Sequence, residues 1–312
     1  MHTLSSTKGR GWLKDYPDFR DNTTSTDTIS ARQKLRGVKK PVKEILSKLM
    51  LPASKRNAAQ KKAAASTKID LSEWCSPVED QGSLGSCTSH ASVGLYEYFE
   101  RRAFGRHVDA SRLFLYKTTR NLLKWTADDG AYLRTTMAAM ALFGLCPEKY
   151  WPYKEDQFNV EPAAFHYSYA QNFQALLYYR LDADGVRGQA LLDKIKEHLR
   201  NGLPMVFGFT CFASLDQADH GKIPFPDPKE EVDGGHAVMA VGFDDSLKIV
   251  NPVSKKATTG AIKIRNSWTA DWGEKGYGWL PYEYVLKGIA DDWWTMTKAE
   301  WVDTKQFGLA NG

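Results

Sequence analysis

Hydrophobic positions recur at helical intervals through the first half of the chain and become strand-like in the second half, with one more helix at the junction. In PVKEILSKLM, residues 41–50, Val42, Ile45, Leu46, Leu49 and Met50 fall three and four apart, which predicts a helix with one apolar face. Pro41 opens it at a first helical position, where its fixed φ and missing N–H are harmless, and Leu51-Pro52 ends it. SKRNAAQKKAAASTK reads as a solvated connector that is helical in part, and a globular body begins near Ile69. From Cys87 onward Ala91, Leu95 and Phe99 repeat at four residues. DASRLFLYKTTRNLL predicts the next helix with Asp109 as its cap, AYLRTTMAAMALFGL another ended near Gly144, and VRGQALLDKIKEHLRNG a last one closed by Gly202. Beyond it LPMVFGFTCF, HAVMAVGFDD, LKIVNPV, AIKIRNSW and YGWLPYEYV are strand-like. Helices followed by strands predict an α+β fold in two segregated lobes, helical over roughly 85–175 and strand-rich over roughly 176–300. There is no internal repeat.

Charge adds a division that hydropathy does not show. The net charge is +5, yet residues 31–68 carry twelve basic side chains against the single acid Glu44, while residues 1–30 balance to zero. A basic arm of +11 therefore precedes a body, 69–312, of −6. Such an arm fits a solvated tail, a contact for nucleic acid or another anionic surface, or a segment that docks on its own acidic body. No window approaches the length of apolar sequence that spans a bilayer. The first thirty residues lack the apolar stretch of a secretory signal, so the chain is not exported by that route or begins after a removed signal. Four cysteines, Cys75, Cys87, Cys146 and Cys211, match no paired zinc spacing and do not form a disulfide scaffold.

The informative chemistry lies in PVEDQGSLGSCTSHA, residues 77–91. A cysteine attacks a carbonyl as thiolate, and a helix N-terminus or a neighbouring imidazolium favours that form. Cys87 falls at a predicted helix start. His236, in DGGHAVMAVGFDD, enters a strand behind two glycines and is the strongest of seven candidate partners. An imidazole that works as a base needs a third group to hold its tautomer, and Asn266 in IRNSWTADWGEKGYGWL ends another strand. Gln81 can donate its side-chain amide, with the backbone N–H of Cys87, to a developing oxyanion. One such donor contributes on the order of 3 kcal/mol to the transition state. Taken singly, each has a plainer reading: Cys75, Cys146 and Cys211 are packing cysteines, His90 packs or faces solvent, and His220 sits in a polar loop near the cleft entrance.

Together these segments resemble the papain-like cysteine peptidases, over about residues 69–290. DQGSLGSC is similar to the family's glutamine-to-cysteine segment, GGHAVMAVGFDD to its histidine strand, and IRNSW with Trp272-Gly273 and Gly276-Tyr277-Gly278 to its asparagine–tryptophan segment. His236 follows the cysteine by 149 residues and Asn266 by 179, against some 130–150 for both in papain. The resemblance implies Cys87 as nucleophile, His236 as base and acid, Asn266 as orienter, Gln81 in the oxyanion hole and Trp268 shielding the His236–Asn266 bond. It implies a cleft that binds an extended peptide, with Asp129 and Gly130 on the helical wall and Gly208, Gly235 and Ala237 on the other, Gly208 and Ala237 lining the S2 pocket. It implies no cofactor or metal, a monomer acting on protein or peptide substrates, and no nucleic-acid or membrane partner.

Three departures accompany it. Leu84 replaces the cysteine of the family's usual disulfide, Thr88 follows the nucleophile where an aromatic is usual, and residues 1–68 lack the long helical prosegment pattern. They resemble the bacterial branch of the family. The basic arm then reads as a prosegment, residues 1–68, lying along the cleft in reverse and making the chain a zymogen, with self-cleavage expected in the connector 53–70. Without an obvious exopeptidase device, endopeptidase is the default. A deamidase or transpeptidase using the same residues, and a non-catalytic binding protein on the same fold, are the alternatives.

Overall fold

A computed structural model describes residues 8–173, 177–183 and 185–309. Residues 1–7 of the expected prosegment, and the expected lobe boundary near 175, lie outside the described residues.

Among the described residues seven antiparallel strands form the sheet: β1 (Lys68–Asp70), β2 (Leu177–Arg180), β3 (Met205–Phe212), β4 (Val232–Val250), β5 (Ala257–Arg265), β6 (Tyr277–Pro281) and β7 (Ala290–Thr297). Their order is β2-β7-β3-β4-β5-β6, with β1 added beside the far half of β4. HAVMAVGFDD and LKIVNPV, expected as two strands, are one 19-residue strand whose register with β5 shifts between Asp244 and Lys248. Every residue from His236 to Asp244 is buried, so this strand runs through the core and carries His236 rigidly.

The Cys87–Phe104 helix packs against β4 and is buried on almost every side for its first three turns. Around it stand the helices Arg112–Leu123 and Leu133–Phe143, while Gly188–Arg200 covers the strand-rich part. The cap of the Arg112 helix is Ser111, not Asp109: its Oγ accepts from Phe114 N–H at 3.0 Å, while Asp109 is spent on Arg112 at 2.7 Å. A hydroxyl directly before the first turn reaches the free N–H groups, which a carboxylate two residues earlier does not.

The apolar face read in residues 42–50 becomes the Val42–Leu49 helix, with Pro41 as N-cap residue. Its Val42, Ile45, Leu46 and Leu49 are all buried and belong to the same core as the sheet and the Cys87 helix. This helix is therefore an integral layer of the body. Leu46→Ala is expected to lower stability by about 2–5 kcal/mol, read by denaturant unfolding; a loss under 1 kcal/mol would mean the helix is only laid on the surface.

Candidate active site

The loop before Cys87 is held from outside. Glu155 accepts from the Ser83 N–H at 3.0 Å and from its hydroxyl, and Asp128 accepts from the Gly85 N–H at 3.0 Å and from the Tyr116 hydroxyl. The loop delivers Cys87 as the first residue of its helix, with Sγ buried where the free N–H groups favour negative charge. Opposite it, β4 carries His236. The Nε2 of His236 lies 2.8 Å from Asn266 Oδ1, which also accepts the Ser267 N–H at 2.8 Å. That backbone donor fixes the amide oxygen toward the imidazole. Nε2 is then the protonated nitrogen, and Nδ1, buried and without a hydrogen-bond partner among the described residues, keeps its lone pair. Trp268 stacks on the imidazole at 4.5 Å between ring centres, with Trp272 against its edge, covering the His236–Asn266 bond from water.

Gln81 is oriented by a residue to which sequence reasoning gave no role. The Ser267 hydroxyl donates to Gln81 Oε1 at 2.6 Å, and Gln81 N–H donates to Ser267 C=O at 2.9 Å. The amide NH₂ is thus turned toward the Cys87 side. Ser267 stood in plain view beside Asn266, but nothing in its local sequence says it meets a residue 186 positions earlier.

Residues 9–12 lie over the site. Gln81 Nε2 donates to Gly9 C=O at 2.8 Å and to Leu84 C=O at 2.9 Å, the Ala237 N–H donates to Cys87 Sγ at 3.4 Å, and Trp12 N–H donates to Gly235 C=O at 3.1 Å. On the helical wall Ala131 pairs with the segment, donating to Gly11 C=O at 2.7 Å and accepting from Leu13 N–H at 3.1 Å, in a parallel bridge. That wall is therefore built by Ala131 with Gly130 packed behind Gly11, while Asp129 is exposed. Gly208 and Gly235 flank the Trp12 indole. Ion pairs tie the segment down along its length: Lys8 to Asp80 at 2.6 Å, Arg10 to Asp233 and to Asp216 at 3.6 Å, Lys14 to Asp291 at 2.6 Å, and Asp15 to Arg134 at 3.0 Å.

Covering the site changes its acid–base chemistry. Burial pushes the Cys87 thiol up to about 11, against the pull of the Ala237 and Gly11 N–H groups. Burial also pushes the His236 imidazole down to about 4, although its bond to Asn266 works the other way. Both shifts favour the neutral thiol and the neutral imidazole while the segment covers the site. His236 is accordingly expected to titrate near pH 4 by NMR in the intact chain and to move upward when the segment is displaced; a midpoint near 6.5 in the intact chain would refute this. Taken alone, this group lowers stability as pH falls from 6.5 to about 4, because the unfolded chain takes the proton first. Asp292, pushed up to about 7 by burial, acts in the opposite sense as the pH falls from about 7.

His90 packs beneath the loop, its Nδ1 near Ser86 C=O at 3.2 Å and its ring edge-on to Tyr153. His220 is exposed beside Asp219. All four cysteines are buried thiols, unpaired with one another. Among the described residues no cluster of His, Cys, Asp and Glu could hold a metal ion, and no helix is long and apolar enough to cross a membrane.

A helical lobe and a sheet lobe meet at a cysteine, a histidine and an asparagine, an arrangement that fits a cysteine peptidase. Residues 65–294 match the family described as papain family cysteine protease, and the chain belongs to that family. It is similar to an uncharacterized peptidase C1-like protein of Acanthamoeba polyphaga mimivirus, at 34% identity over 69% of this chain and 68% of the relative. It is also similar to the thiol protease aleurain of Arabidopsis thaliana, at 26% identity over 69% of this chain and 55% of that protein. Among solved structures it resembles xylellain, a cysteine protease from Xylella fastidiosa, with a TM-score of 0.69 and 28% identity, covering 94% of this chain and 97% of that one. The chain is thus a papain-like, cysteine-type peptidase, and the family implies protein substrates.

Proposed function

We propose that the protein is a cysteine endopeptidase, made latent by residues 8–15, in which Cys87 forms the thioester. His236 takes the thiol proton through Nδ1, protonates the leaving amine and then activates water. Asn266 holds the imidazole through Nε2, and Trp268 keeps that bond dry. Gln81 Nε2 and the Cys87 N–H receive the oxyanion.

The observation that carries this reading is the Gly9 carbonyl on Gln81 Nε2: the chain's own peptide oxygen occupies the acceptor site that a substrate oxyanion would use. The segment pairs in parallel with Ala131 on the helical wall, and we read it as a strand bound in reverse. An endopeptidase is favoured because the segment continues past the nucleophile on both sides, to Asp80 at one end and to Asp291 and Arg134 at the other.

The removable latch is narrower than residues 1–68. Val42–Leu49 is part of the core and Lys68–Asp70 is a strand of the sheet. Tyr16, Phe19 and Arg20 are exposed directly after the latch, so a cut at 16–20 would free the cleft and leave the body whole. The assembly reads as a monomer whose arm serves its own site, and the departures around Leu84 and Thr88 suit a bacterial-type enzyme. The test is a digest of a mixed peptide library by protein cut at 16–20, read by mass spectrometry. New internal termini are expected. Deamidated or ligated products without new termini would replace this reading with an acyl transferase of another kind.

A further inference from the structure

Trp12 fills a slot beside Cys87 whose walls and floor differ in character. The walls are Gly208 and Gly235: a Cβ on the first would overlap the indole, and one on the second would come within 2.7 Å of it. The floor is acidic. Trp12 Nε1–H donates to Asp292 Oδ2 at 3.1 Å. Asp292 is fully buried; its Oδ1 accepts from Trp294 Nε1 at 2.7 Å and lies 3.2 Å from Arg180 Nη1. Arg180 is itself shared, gripping Asp182 with two bonds at 2.9 and 3.0 Å. Next along β7, the 7%-exposed Asp291 has Lys14 as its partner at 2.6 Å.

Two buried carboxylates thus share one guanidinium, and a third relies on a lysine of the latch. When residues 8–15 leave, the floor loses the Trp12 donor and the Lys14 charge, and Arg180 Nη2 loses the Asp15 carbonyl it donates to at 2.9 Å. We propose that this slot selects arginine or lysine at the P2 position of the substrate and that Asp292 is the residue which decides it. The inference rests on the peptidase reading above and deepens it.

An apolar side chain entering the slot would strip water from Asp292 Oδ2 and give nothing back, which is the costly way to bury an acceptor. A guanidinium or ammonium group reaching the depth of Trp12 Nε1 supplies both the donor and the missing charge. Its methylene stem lies between the glycine walls, where the indole now does. Burial holds the Asp292 carboxyl up to about 7 against the pull of Arg180, with the Asp182 charge adding to the rise.

The test uses the full chain opened by Arg10→Ala with Trp12→Ala, assayed on fluorogenic peptides that differ only at P2. Arginine and lysine are expected to exceed leucine in kcat/KM by on the order of tenfold to a hundredfold, and Asp292→Asn in the same background is expected to collapse that ratio. A leucine or valine preference, or a ratio indifferent to Asp292→Asn, overturns the proposal. Failure of every peptide would instead count against the peptidase reading. The slot is then judged without catalysis, from thermal midpoints of the otherwise intact chain carrying Trp12→Arg or Trp12→Leu. The arginine variant is expected to be the more stable, and a more stable leucine variant overturns the proposal.

Discussion

Cys87→Ala is expected to lower peptide hydrolysis by on the order of 10⁴–10⁶-fold while the protein stays folded. The change deletes one sulfur from a fully buried position at the start of a helix whose other contacts remain. Unfolding should therefore move little, and the loss is chemical: with no Sγ there is no thioester. His236→Ala is expected to cost a comparable amount, because Nδ1 is the only imidazole atom left free by the Asn266 bond. The two losses should not add, since nucleophile and base act as one unit. The check is kcat on a peptide in the opened chain, with circular dichroism to verify folding. Residual activity within tenfold of the parent in Cys87→Ala would move the nucleophile elsewhere.

Arg10→Ala with Trp12→Ala is expected to raise the rate at which an epoxide inhibitor labels Cys87 by about a hundredfold or more, read by intact mass. Truncating a buried tryptophan costs about 3–5 kcal/mol. Only the covered state contains that burial, so the cost goes directly into the opening equilibrium, at about tenfold per 1.4 kcal/mol. Arg10 adds two ion pairs to Asp233 and Asp216, with a smaller and salt-sensitive effect. Deleting residues 1–29 should give the same acceleration in a folded protein. Deleting residues 1–68 should not yield a folded one, because four core side chains leave with the 42–49 helix. Equal labelling of the intact chain and the double variant would mean that residues 8–15 do not gate the nucleophile.

The sequence by itself determined what local spacing and residue chemistry can encode. Cys87 at a helix start, His236 entering a strand behind glycines and Asn266 ending the next strand each carry their reason within a few neighbours, so each was legible, as were the main helices and most strands. Strand β7 was not. All eight of its residues are buried, so ADDWWTMT has no alternation to read, and its two leading aspartates argue for a turn. Asp292 was hidden with it. The basic arm was legible as charge, but its division was not. Glycines and a lone tryptophan in GRGW gave no periodic signal, whereas the amphipathic helix at 42–49 did, yet the first covers the site and the second belongs to the core. Only the tertiary structure decided these points. They depend on residues 72 to 280 positions apart, Gln81 with Gly9, Gln81 with Ser267 and Trp12 with Asp292. Such pairs are set by how the two lobes and the sheet pack, and by which buried polar groups must find a partner there.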